Sequence, residues 1–241
     1  LAANPRSKLI VALDFERLSP ALTVARQVAQ HAGMFKIGKQ LFTAVGPSAV
    51  ERLAKLGPGI FLDLKFHDIP NTVAGAVGAA AALAGIRLVS IHALGGLAMM
   101  RAAVESLPAT RTRPKLLAIT VLTSMTDDTL KEVGIRGTVA SSVVKLAQLA
   151  QQAGVDGVVA SAQEIQAIRK ACGKEFLIVV PGVRPQWTGR DDQARVATPG
   201  DAIRAGADYL VLGRPITAAT DPRSAAKTIL REISGASRRK V

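Results

Sequence analysis

The chain has 241 residues, of which 49% are hydrophobic, 20% charged and 3% aromatic. A chain of this length can bury roughly 70–75% of its unfolded surface in one core, and its composition excludes a disordered or low-complexity protein. The formal net charge is +13, but the basic residues are dispersed and Trp187 and Tyr209 are the single Trp and Tyr, so the basic–aromatic interleaving of a base-stacking nucleic-acid surface is missing.

Short apolar runs at 9–13, 34–37, 60–64, 88–91, 116–121, 157–160, 176–180 and 209–212 read as strands. Between them, segments such as 19–31, 47–56, 70–84, 138–153 and 162–171 carry apolar residues at helical spacing. Repeated β-then-α units predict a parallel sheet, and eight of them at this length predict an α/β fold closed into a (β/α)8 TIM barrel. It is expected to form a single domain over 1–241, with a short basic tail at about 235–241. The open, doubly wound alternative loses ground because Asp14-Phe15-Glu16-Arg17, not a glycine-rich fingerprint, follows the first strand.

The third unit carries the densest chemistry. Phe61-Leu62-Asp63-Leu64-Lys65 alternates in strand period, so Phe61, Asp63 and Lys65 are expected on one face and Leu62 and Leu64 on the other. Charges on an inward face must be paired or wet. Asp68 follows just beyond the strand, and Pro70-Asn71-Thr72 suits the start of a helix. With Lys36 from the second strand, Asp63, Lys65 and Asp68 alternate in sign and are expected to form one ion network. In it, a lysine flanked by carboxylates is kept protonated and becomes a placed acid. An ionised Asp63 facing a substrate carboxylate at about 4 Å repels it by roughly 4 kcal/mol at an effective dielectric near 20, which suits loss of that carboxylate as neutral CO2.

The rim also offers an anion grip. The seventh and eighth strands run into Pro181-Gly182-Val183-Arg184 and Gly213-Arg214-Pro215. Barrels of this kind often hold phosphate there, with glycine admitting the anion to the backbone and arginine gripping it bidentately.

Ala12-Leu13-Asp14, Lys36-Ile37-Gly38-Lys39, the block 61–72, Val121-Leu122-Thr123-Ser124-Met125 and the two phosphate-loop strings together resemble the orotidine 5'-phosphate decarboxylase family, in order and over essentially the whole chain. The resemblance implies a cofactor-free, metal-free homodimeric barrel that converts orotidine 5'-phosphate (OMP) to UMP. Lys65 is then the proton donor, and Asp63 stands beside the departing carboxylate. Lys36 and Asp14 bind the ribose hydroxyls. Asp68 and Thr72 reach the partner's site, with Ile69, Pro70 and Asn71 between them at the substrate. Thr123 and Ser124 contact the base, and Arg184, Gln193, Gly213 and Arg214 hold the phosphate end.

His92 at a strand end reads as a structural histidine. The long polar loop 185–197, which contains Trp187, reads as a lid over bound nucleotide. A single cysteine, Cys172, and the lack of a secretory signal pattern point to a cytoplasmic protein. The longest near-apolar run, 73–86, is short of the about 20 residues of a membrane span. Two rivals compete: Mg2+-dependent sugar-phosphate decarboxylases and aldolases of the same scaffold, which place a carboxylate where Lys36 stands, and a basic nucleic-acid-binding protein.

Overall fold

The computed structural model describes residues 4–185, 187 and 197–238. Its strands are β1 (Leu9–Ala12), β2 (Met34–Gly38), β3 (Gly59–Phe66), β4 (Ile86–His92), β5 (Lys115–Ile119), β6 (Gly157–Val159), β7 (Leu177–Pro181) and β8 (Tyr209–Leu212). Each pairs in parallel with its neighbour in sequence, and β8 pairs with β1, so the sheet closes into the expected barrel.

Helices return the chain after every strand. α1 (Leu18–Val28) follows β1, α2 (Lys39–Val45) and α3 (Pro47–Ala54) follow β2, α4 (Pro70–Ala81) follows β3, and α5 (Gly96–Glu105) follows β4. α6 (Asp127–Glu132) and α7 (Val139–Gln152) follow β5, α8 (Ile165–Cys172) follows β6, and α9 (Pro199–Ala205) follows β7. α10 (Arg214–Thr217) and α11 (Pro222–Arg238) complete the chain. Proline at the first turn of α3, α4 and α9 supplies a preset φ where no intrahelical N–H is needed. Asn71 and Thr72 lie inside the first turn of α4, and Ile69 takes the cap position without a side-chain bond.

Strand alternation divides the core in two. Ile10, Met34, Phe61, Leu88, Leu117, Val179 and Val211 point inward and plug the barrel. Their neighbours Val11, Phe35, Leu62, Val89, Ala118, Val180 and Leu212 point outward and pack beneath the helices. Both faces are covered, which is why the strands read as nearly continuous apolar runs. β6 opens on Gly157, where a Cβ would lie 2.3 Å from the Leu177 carbonyl oxygen of β7, so the close approach of the two strands needs a glycine. The expected basic tail includes residues 235–238, which belong to α11, whereas 239–241 lie outside the described residues. Among the described residues no helix is long and apolar enough to cross a membrane.

Candidate active site

Above the apolar plug the inward positions turn polar. Two residues beyond Met34, Phe61 and Leu88 stand Lys36, Asp63 and Ser90, which are 9%, 7% and 0% exposed. The same period that fills the barrel therefore aims these groups at its C-terminal mouth.

β3 then departs from the alternation expected of it. Its register against β4 slips between Leu62 and Phe66, and Lys65 adopts φ +54°, a left-handed backbone on a residue with a Cβ. Such a conformation costs about 1–3 kcal/mol and persists only where the surroundings enforce it. Two hydrogen bonds do so here. The Lys65 N–H donates to Ser90 Oγ at 3.0 Å, and Ser90 Oγ donates to Asp63 Oδ1 at 2.8 Å. The bulge swings the Lys65 ammonium onto the other carboxylate oxygen, where Nζ donates to Asp63 Oδ2 at 2.7 Å.

Lys36 links this pair to β1. Its Nζ donates to Asp14 Oδ1 at 2.8 Å and lies 3.8 Å from Asp63 Oδ2. The result is a row Asp14–Lys36–Asp63–Lys65 of alternating sign. Lys36 and Asp63 are nearly buried, so each must keep its counter-ions, because removing one partner from such a pair typically costs about 3–5 kcal/mol. Gly38 leaves the row its space: a Cβ there would lie 2.9 Å from Lys36 Nζ and 3.0 Å from Asp14 Oδ1.

Asp68 does not join the row, contrary to the expected network. It lies past the end of β3, exposed, and its carboxylate accepts the Ile69 N–H at 2.6 Å. The whole segment 67–72 is exposed, with Ile69 at 66%. Thr123 and Ser124 are also exposed, in the turn between β5 and α6 on the same rim. His92 Nδ1 accepts the Leu94 N–H at 3.3 Å, and its ring stacks on His67 with centroids 5.4 Å apart. Burial, then the nearby charges of His67, Lys39 and Lys65, push its imidazole down to about 4, so it is neutral at pH 7.

The row opens into a cleft of about 250 Å³ whose walls include Asp14, Lys36, Gly182, Arg184, Gly213 and Arg214. Gly182 sits at φ +76°, which glycine adopts without penalty. Gly213 caps α10, and Arg214 opens it. The Arg184 and Arg214 side chains are exposed, and among the described residues neither makes a hydrogen bond or ion pair. The Arg184 N–H donates to the Ala197 carbonyl at 3.1 Å and so ties the loop between them at its base. Gln193 lies outside the described residues, as does most of the 185–197 loop; Trp187 is 45% exposed.

A family model described as "Orotidine 5'-phosphate decarboxylase / HUMPS family" matches residues 7–229. The chain belongs to this family. Over 230 residues it is 54% identical to the orotidine 5'-phosphate decarboxylase of Geobacter sp. (strain M21), covering 94% of this chain and 95% of that protein. The namesake protein of Alkalilimnicola ehrlichii is 51% identical over 228 residues, covering 95% and 97%. The crystal structure of orotidine 5'-phosphate decarboxylase from Lactobacillus acidophilus superposes with a TM-score of 0.82 at 39% identity, covering 93% of this chain and 98% of that one.

In this orotidine 5'-phosphate decarboxylase-family barrel, Ser90 is the site residue that sequence reasoning missed. It stands in the apolar run Leu88-Val89-Ser90-Ile91 and leaves the run's composition almost unchanged. The available signal was its phase. Two residues past inward Leu88, a hydroxyl in a dry barrel needs polar partners, and Asp63 and Lys65 are those partners.

Proposed function

We propose that this chain converts orotidine 5'-phosphate to UMP and CO2 without metal or coenzyme, with Lys65 supplying the proton that takes the place of the carboxylate. The observation that carries this reading is the row Asp14–Lys36–Asp63–Lys65 sharing one mouth with the Arg184 and Arg214 loops.

The phosphate is gripped by the two arginines and the backbone at Gly213, with Gln193 added from the loop. The ribose hydroxyls meet Asp14 and Lys36, and Thr123 and Ser124 meet the base. Anchored so, the pyrimidine carboxylate faces Asp63, whose negative charge disfavours the bound anion and favours its departure as neutral CO2. The carbon–carboxylate bond breaks with its electron pair left on the ring carbon. The Lys65 ammonium, already oriented by Asp63, gives that carbon a proton. Contacts to the remote phosphate then contribute to the chemical step as well as to affinity.

Each carboxylate of the row already faces an ammonium, so a divalent cation approaching Asp63 would meet Lys36 and Lys65; this supports the metal-free reading over a Mg2+-dependent one. A homodimer fits the exposed segment 67–72, from which Asp68 and Thr72 would reach a second copy's site. A cytoplasmic setting suits the single free cysteine, Cys172, which is buried.

The test is the ultraviolet change from orotate to uracil on adding orotidine 5'-phosphate to metal-stripped protein. Undiminished turnover in the presence of chelator is expected. Activity that disappears with chelator and returns with Mg2+ moves the reading to the metal-dependent relatives.

A further inference from the structure

The opposite end of the barrel holds a second cleft that the decarboxylation leaves unused. Its volume is about 600 Å³, and residues preceding or opening the strands surround it. Five cations line it: Arg6, Arg87, Arg111, Arg113 and Lys115. No carboxylate lines it among the described residues.

Two of these cations, Arg113 and Lys115, share the carboxylate of Asp156. The Arg6 guanidinium is held by the carbonyls of Ala29 and Ala32, which fix its position without neutralising it. The Arg87 and Arg111 side chains are exposed and make no hydrogen bond or ion pair among the described residues. Arg87 is nonetheless accommodated: a Cβ on Gly59 would lie 2.5 Å from its Cγ, so the glycine makes room for the arginine stem across the mouth. Like charges gathered this way repel one another and weaken the fold unless an anion joins them.

The floor of the cleft is different in kind. Met34, Leu88 and the half-buried Tyr209 form it. An apolar floor beneath a ring of guanidinium groups, at a volume usual for small-molecule sites, suits a flat ring carrying several phosphates.

From this geometry we propose that the N-terminal mouth binds a polyphosphate anion of nucleotide size, at a site separate from the catalytic cleft. Guanidinium groups take phosphate oxygens in bidentate pairs, and Arg87 and Arg111 are the two whose pairing capacity is still open.

The experiment is calorimetric titration of the full chain with ATP while UMP saturates the catalytic cleft. One ATP per chain is expected, with an affinity that weakens at least tenfold between about 50 and 200 mM salt. The double variant Arg87→Glu/Arg111→Glu, and Arg111→Glu alone, should weaken ATP binding by about tenfold or more, while turnover of orotidine 5'-phosphate is unchanged. Inorganic tripolyphosphate, titrated in parallel, separates the two sources of the same chemistry. Comparable affinity assigns the site to the phosphate chain, and weaker affinity assigns a share to the ring on the Met34–Leu88–Tyr209 floor. The proposal is overturned if neither anion binds when UMP is present. It is overturned equally if binding ignores both variants, or if a single-stranded oligonucleotide binds far more tightly through the same arginines.

Discussion

Asp63 and Asp156 are both carboxylates with two cations around them on the wall of one barrel, and they are satisfied in opposite ways. Asp156, just ahead of β6, accepts both arms of Arg113 at 2.7 and 3.1 Å, Lys115 at 2.9 Å and the Leu116 N–H at 2.8 Å. Its oxygens are fully used, and it fastens β5 to β6. Asp63 holds Lys65 at 2.7 Å and the Ser90 hydroxyl at 2.8 Å, but its second cation, Lys36, stays at 3.8 Å and faces a cleft. Its lysine partner sits on a strained backbone. A saturated ion cluster serves structure. A cluster with spare capacity, aimed at open space by strain, can act on a substrate.

The sharpest way to break that contrast is to truncate each carboxylate. Asp63→Ala should lower steady-state turnover of orotidine 5'-phosphate by about three orders of magnitude or more, since it removes both the repulsion and the orientation of Lys65. Turnover within tenfold of the parent enzyme would erase the distinction between the two aspartates. Ser90→Ala should have the next largest effect: a fall of about 10- to 100-fold in kcat with UMP affinity within about twofold, because it frees the Lys65 backbone and leaves the phosphate and ribose contacts alone. Ser90→Thr, which keeps the hydroxyl, should recover part of the loss. Equal losses in both variants would reduce Ser90 to packing.

Asp156→Ala should do the reverse. Unfolding in urea at pH 7 is expected to show a loss of about 3 kcal/mol, because Arg113 is left beside an empty position, while kcat per folded molecule is unchanged. Acid sharpens this prediction. Burial alone would raise the Asp156 carboxyl, but hydrogen bonds from Arg113, the Leu116 N–H and Lys115 outweigh it and hold the group below its ordinary 3.8. Its contribution is therefore complete above 3.8 and is lost as pH falls through the depressed folded value. The gap between the stability curves of parent and variant should begin to narrow as pH falls below about 3.8 and close only below the depressed folded value; a gap that does not narrow at all as pH falls would show that the lost stability is packing, not charge.

The same contrast explains what could be read in advance. The strand runs were legible because closing a barrel under helices makes both faces apolar, and the rim residues Asp14, Lys36, Asp63, Arg184 and Arg214 were legible as charges standing where such runs end. Asp156 and Ser90 were not. Asp156 precedes a strand, where a charge reads as ordinary loop, and its partners lie some forty residues away across β5. Ser90 is one small residue in an apolar run. Strict alternation correctly turned Asp63 inward but missed the left-handed turn at Lys65, because that backbone is enforced by Ser90 on the next strand. Local propensity does not favour it. Sign and spacing group Asp68 with the row, yet β3 ends at Phe66 and Asp68 stands exposed beyond it.

The most direct measurement is single-turnover decarboxylation of orotidine 5'-phosphate by Lys65→Ala, run beside equilibrium binding of UMP to the same variant. If the Lys65 ammonium is the acid, UMP still binds and no uracil absorbance develops over a period in which the parent enzyme consumes all substrate. Conversion at the parental rate, with binding intact, would contradict it.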